Sequence, residues 1–119
     1  MNSRILYLMT VIAIALTTLT ITGNVTNLFV KGGLTYLDAS KNTGLIHLNC
    51  SYSKLTNMDV SKNTALTYLD CSYNELSAEA LNALFGTLHS NTISDEKRIV
   101  IGGNPGTGAC NNSIATNKW

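Results

Sequence analysis

Apolar residues recur through the middle of the chain in one pattern, an L-x-x-L-x-L type spacing. It occurs as Leu34-x-x-Leu37-x-Ala39, Leu45-x-x-Leu48-x-Cys50, Leu55-x-x-Met58-x-Val60 and Leu66-x-x-Leu69-x-Cys71, with a weaker copy at Val25-x-x-Leu28-x-Val30. The last two apolar positions of each copy lie two residues apart, which is the alternation of a β-strand. Leu48 and Cys50 are therefore predicted to point inward and His47 and Asn49 outward. The same reading puts Leu69 and Cys71 inside and Tyr68 and Asp70 outside.

The copies are organised at a longer period. Leu34–Lys54 and Leu55–Glu75 are identical at 12 of 21 positions. Each block holds two half-repeats, so the period predicts short parallel strands stacked about 4.8 Å apart. No single coil can bury its own apolar face, and each leans on its neighbours. The polar positions repeat as well. Asn42 and Asn63 fall at matching turns, where an inward carboxamide can bond backbone groups that would otherwise be buried unpaired. Asn74 takes the matching place in the other row, and Ser53 replaces it one block earlier, so that turn is expected to be less well satisfied. Ser40, Ser61, Ser51 and Ser72 are expected to bond locally to backbone.

The pattern changes after Leu76. Ser77 is a candidate N-cap for a helix over Ala78–Leu88, with Leu81, Leu84, Phe85 and Leu88 at helical spacing. A polar loop over His89–Glu96, a strand over Arg98–Ile101, a turn at Gly102–Gly106 and a short helix over Ser113–Trp119 complete a predicted C-terminal cap, residues 77–119. Thr18–Thr22 is a candidate first strand covering the stack, so residues 17–76 form the predicted repeat region.

Composition narrows the class. With 45% hydrophobic and 13% charged residues the chain is too apolar for a disordered protein. A net charge of +1 gives no strong field for nucleic acid or acidic lipid. Residues 1–16 read as a secretory signal peptide: Arg4, the apolar run Ile5–Leu16 and the small pair Ala13 and Ala15. A hydrophobic strand, a buried helix and an uncleaved anchor are the alternatives. As an anchor the stretch would be Ile5–Ile21, 17 residues interrupted by threonines and marginal for spanning a bilayer. No cysteine near the cut offers a lipid anchor. The expected location is secreted or cell-surface, with no stable membrane span after cleavage.

The segments LTYLDCSYNELS and MDVSKNTAL resemble the 21-residue, doubly nested leucine-rich repeats of bacterial surface and secreted proteins related to internalin-type repeats. The resemblance covers about Val25 to Trp119, including a cysteine at the third apolar position, as at Cys50 and Cys71. GGNPGTGAC…SIATNKW is similar to the C-terminal caps of such proteins, which commonly continue past the tryptophan. The resemblance implies a leucine-rich-repeat solenoid, mostly β with an α/β cap, that binds other macromolecules. It does not name the ligand, because the fold serves many binders.

Candidate chemistry is sparse. Cys50 and Cys71 are read as buried thiols, since in-register side chains on parallel strands suit a disulfide poorly. Cys110 is read as packed in the cap. Neither C-x-x-C nor H-x-x-x-H occurs, so no metal site is expected. Asp38 and Asp59 each belong to an Asp-x-Ser-Lys unit and read as a solvated ladder rather than an acid–base pair. No G-x-S-x-G elbow is present, and the glycine-rich Gly102–Gly108 lacks a P-loop lysine. The chain is not expected to be an enzyme or to hold a cofactor. Asn24, Asn49 and Asn111 match the glycosylation acceptor pattern, which carries no meaning in a bacterial chain.

One surface merits a ligand-binding expectation: Phe29, His47, Asn49, Tyr52, Tyr68, Asp70 and Tyr73, the outward positions of the cysteine-bearing row. Tyrosines give large contact area at low entropic cost. The competing reading is that tyrosine simply suits strands. Two functions stand open on this sequence. The first is an exported module binding protein or glycan, with adhesion as one use. The second is a structural or vestigial fragment of a longer repeat protein, whose only partner is that protein or further copies, joined through open ends.

Overall fold

The structure, a computed structural model, describes the backbone of residues 4–9 and all of residues 17–119. Seven short strands and two helices follow in chain order: β1 (Arg4–Met9), β2 (Thr18–Thr20), β3 (Val25–Lys31), β4 (Tyr36–Asp38), β5 (His47–Asn49), β6 (Tyr68–Asp70), α1 (Ala78–Thr87), β7 (Arg98–Val100) and α2 (Asn112–Thr116). The strands form a five-stranded parallel sheet in the order β1-β3-β5-β6-β7 and a separate parallel pair, β2-β4. Part of the expected signal peptide, Arg4–Met9, is β1 and pairs with β3. The rest of it, residues 1–3 and 10–16, lies outside the described residues.

Alternation places the core. Leu28, Leu48 and Leu69 are neighbours across β3, β5 and β6 and have no exposed surface. Val30, Cys50 and Cys71 continue that buried side, and Leu34, Leu45, Leu55, Leu66 and Leu76 close it from the turns. Burial of each leucine stabilises the fold by about 2 kcal/mol. Ser77 caps α1, its hydroxyl accepting from the Ala80 N–H at 3.1 Å. Leu81, Leu84 and Phe85 bury one face of the helix, and Leu88 is its C-cap. Gly106 lies so close to the start of α1 that a Cβ there would fall 2.1 Å from the Ala78 nitrogen. Only glycine permits that approach.

The expected leucine-rich-repeat solenoid is corrected by this arrangement. A solenoid needs a nearly constant coil length and rows of strands that continue. The steps between paired residues are 22 residues from Leu6 to Leu28, 20 from Leu28 to Leu48, 21 from Leu48 to Leu69 and 30 from Leu69 to Ile99. Only one step has the repeat length. The second row stops after β2 and β4, and no strand forms over Leu55–Val60. The Val60 N–H instead donates to the Thr87 hydroxyl at 3.2 Å, so the end of α1 stands where a further strand would bond. The chain closes into a compact body of 38 × 38 × 18 Å, with two parallel sheets and two short helices rather than a run of stacked repeats.

Buried carboxamides join one turn to the next. The Asn74 amide donates to the carbonyls of Cys50, Cys71 and Ser72 at 3.0–3.2 Å, and its oxygen accepts from the Leu55 N–H at 3.0 Å. Asn104 repeats this one step on. Its amide donates to Cys71 and Ile101, and its oxygen accepts from the N–H groups of Asn74 and Leu76. In the other row Asn63 donates to the carbonyls of Ala39 and Asn42, and Asn42 donates to Ile21. Ser53, at the place matching Asn74, has a buried hydroxyl with no hydrogen-bond partner. Its shorter side chain does not span to the neighbouring turn as that of Asn74 does; the Asn63 Oδ1 is likewise buried without a partner.

The thiols are buried in the same layer and unpaired with each other. Burial pushes the Cys50 thiol well above its ordinary range, helped by the neighbouring Cys71 and Asp70. Burial, with Asp70 beside it, pushes Cys71 up to about 12. Both groups keep their protons in the folded chain where the unfolded chain, with an ordinary value of 9.0, would release them. Their contribution is complete below about pH 9 and falls as the pH rises from there towards 12.

Two outcomes follow. Asn74→Ala is expected to cost about 3 kcal/mol, because buried backbone groups on two turns lose their partner, and Ser53→Asn to add about 1 kcal/mol; urea denaturation midpoints measure both. At pH 8 an alkylating reagent is expected to label Cys110, which is partly exposed, well before Cys50 and Cys71; mass spectrometry of the native and unfolded chain checks the order.

Candidate functional site

The side of the five-stranded sheet opposite the leucines carries three rows of side chains. The first row is Asn27, His47, Tyr68 and Arg98, which are register neighbours on β3, β5, β6 and β7. The second is Phe29, Asn49, Asp70 and Val100. The third lies at the turns just past the strands and consists of Lys31, Tyr52, Tyr73 and Gly103. All seven residues singled out from the sequence fall on these rows, but they differ in what they can offer.

Asn49 and Asp70 are committed to their own turns. The Asn49 oxygen accepts from the Ser51 N–H at 3.0 Å and the Ser51 hydroxyl at 2.7 Å. Asp70 accepts from the same two groups of Ser72 at 3.0 and 2.6 Å. Each is an Asx-x-Ser turn, and each is followed by a tyrosine in left-handed backbone: φ is +55° at Tyr52 and +52° at Tyr73. Ser51 and Ser72 thus donate both N–H and hydroxyl to the side chain two residues back, where the sequence led to the expectation of a bond to backbone. Asp38 and Asp59 build the same turn with the N–H groups of Ser40 and Ser61 at 2.9 and 2.8 Å. The hydroxyls and N–H groups of those serines hold both carboxyls below the usual carboxylate range. They border a shallow cleft of about 280 Å³ with Tyr36, Asn57 and Met58.

The turns aim the two tyrosines together. Their rings lie parallel, 7° apart in plane and 4.5 Å between centroids. Each is about half exposed, 51% for Tyr52 and 53% for Tyr73. The Lys31 ammonium lies 4.6 Å from the Tyr52 ring centre, on the β3 side. On the β7 side Gly103, at φ +75°, lies against Tyr73; a Cβ there would come within 2.5 Å of the ring. The two rings thus cover each other's inner faces and Lys31 lies over Tyr52, while each tyrosine keeps about half of its surface exposed.

His47 and Tyr68 are placed differently. Their rings are tilted by 41° at 5.9 Å. The Asn27 amide lies 3.0 Å from His47 Nδ1, and the Thr26 hydroxyl donates to the Asn27 oxygen at 3.0 Å. Asn27 thus ties the His47 ring to β3 through Nδ1. Phe29 is half-buried between the first and third rows. Sequence reasoning missed Asn27, Lys31, Arg98 and Gly103. Asn27 could have been found as the residue one step before His47. Arg98 and Gly103 lie 30 residues after their neighbours Tyr68 and Tyr73, outside any constant period.

Among the described residues no three His, Cys, Asp or Glu side chains converge as metal ligands. No helix among them is long and apolar enough to cross a membrane. No family model, curated protein or solved structure matches the chain.

Gly103→Ala is expected to destabilise by about 1–2 kcal/mol through its left-handed backbone and to displace Tyr73. The near-ultraviolet circular dichroism of the tyrosine pair should fall with it, and Gly102→Ala, which has open space, should leave that signal intact.

Proposed function

We propose that the chain is an exported binding module that engages a protein partner through the Tyr52–Tyr73 edge of its sheet. The observation that carries this reading is the stacked, half-exposed pair held in left-handed backbone by two Asx-x-Ser turns. Left-handed backbone is served at least cost by glycine or asparagine, and an ordinary L-residue there costs about 1 kcal/mol or more. Two tyrosines occupy it instead, side by side. The turns restrict them in advance, so little side-chain entropy remains to be lost on binding.

The contacts already made by the rings favour a protein over a glycan ligand. A sugar ring would need an open aromatic face to stack on. Here Lys31 lies over Tyr52, Gly103 lies against Tyr73 and the tyrosines cover each other's inner faces. Ring edges and two hydroxyls suit the mixed polar and apolar surface of a protein. Export rests on the leader-like run Ile5–Leu16. Cleavage near Ala15 would remove β1 and leave β3 as the edge of the sheet.

The test replaces each tyrosine by glycine, the residue its backbone prefers. Tyr52→Gly with Tyr73→Gly is expected to change stability by less than about 1 kcal/mol, the lost stacking offsetting the relieved backbone. Capture of a cross-linked partner from the source organism's surroundings, compared side by side with the unaltered chain, should be lost. Equal capture by a folded double variant would remove this reading.

A further inference from the structure

At the other end of the strands the first row opens into a cleft of about 520 Å³, lined by His47, Thr67, Tyr68, Asp95, Glu96 and Arg98. We propose that this cleft binds a small zwitterion, a molecule carrying a carboxylate and an ammonium group a few bonds apart. The proposal goes beyond the protein-binding reading and does not require it, since it uses the opposite end of the sheet and no macromolecular partner.

The donors come from the strands. The His47 ring is tied at Nδ1 to Asn27, which leaves Nε2 for the cleft. Tyr68 and Arg98 are its successive neighbours in register on β6 and β7, so an imidazole, a phenol and a guanidinium are carried by adjacent strands, the two rings 5.9 Å apart. That is a set of donors for a carboxylate, with the guanidinium able to grip it by two parallel bonds. Thr67 turns its hydroxyl to the Ile46 carbonyl and accepts the Arg98 N–H on its own carbonyl, so it fixes the floor without competing for ligand.

The acceptors come from the connection between α1 and β7. Asp95 and Glu96 lie on a segment pinned at both ends. At one end the Asn91 side chain donates to the Thr64 carbonyl at 3.1 Å, and the Asn91 N–H donates to buried His89. At the other, the Lys97 ammonium donates to the carbonyls of Asn91 and Lys118. The two carboxylates and Arg98 border the same cleft, yet they form no ion pair within 4.0 Å. Opposite charges that border one cleft without pairing are what a zwitterion would bridge: its carboxylate to Arg98 and its ammonium to Asp95 and Glu96. A singly charged ligand would satisfy one wall and leave the other's charge to water.

The experiment titrates the full chain, ¹⁵N-labelled, with ω-amino acids from glycine to 6-aminohexanoate, alongside butyrate and butylammonium. One chain length is expected to bind at least tenfold tighter than either singly charged probe, with amide shifts concentrated at His47, Tyr68 and residues 95–98. Arg98→Gln, an exposed position, should weaken that probe and butyrate together while the spectrum stays dispersed. The pair Asp95→Asn with Glu96→Gln should weaken the zwitterion to the level of butyrate and leave butyrate unchanged or tighter. The proposal is overturned if no probe shifts these amides, if butyrate binds as tightly as every zwitterion, or if the substitutions leave the affinities unaltered. None of these outcomes bears on Tyr52 and Tyr73, so this proposal and the protein-binding reading fail separately.

Discussion

Everything on the outer surface depends on a few buried carboxamides. Strands of three residues cannot hold register by their own ladders, and the turns between them bury backbone N–H and carbonyl groups that must be paired. Asn74 and Asn104 each bond backbone on more than one turn, and Asn104 also accepts from the Asn74 backbone. They act as cross-links of hydrogen bonds running perpendicular to the strands. Leucine burial supplies the larger share of the free energy but tolerates small shifts. The carboxamides do not, because their partners sit at fixed distances and angles.

Register in turn produces the chemistry of the surface. Because β5 and β6 align His47 with Tyr68 and Asn49 with Asp70, the two Asx-x-Ser turns fall side by side, and the two tyrosines that follow them stack. The same alignment, extended to β7, brings Arg98 into line with His47 and Tyr68. One end of the sheet thus carries an aromatic pair closed by a lysine and a glycine. The other carries a cleft with separated charges. Both follow from which residue sits opposite which, and a slip of one position would turn every side chain to the wrong side of the sheet.

Much of the interior was legible in the sequence. The alternation at Leu48 and Cys50, and at Leu69 and Cys71, identified buried positions, and the repeated Asn63 and Asn42 pointed to carboxamides in the turns. The change to Ser53 marked a turn with an unmet hydroxyl. The architecture was less legible, because the alignment covers residues 34–75 only. Its two blocks agree with each other, but the step to β7 is nine residues longer than the step before it (30 against 21), and the end of α1 reaches the Val60 N–H in place of a third strand in the second row. A period read from two copies does not reveal that the next element departs from it. The outer surface was half legible for the same reason. Tyr52 and Tyr73 repeat and could be paired by counting, whereas Gly103, Arg98 and Lys31 join them only through strand pairing. That the rings stack, with Lys31 over Tyr52, could not be counted at all: it is a matter of three dimensions.

Hydrogen exchange tests the role of the carboxamides most directly. The backbone N–H groups of Leu55, Asn74 and Leu76 lie in turns, yet each donates to a buried asparagine oxygen. They are expected to exchange as slowly as the N–H groups of the central strands, by global unfolding alone. Exchange of these three at the rate of the exposed connections, while the strands stay protected, would show that the turns open independently and that the asparagines do not hold the sheet in register.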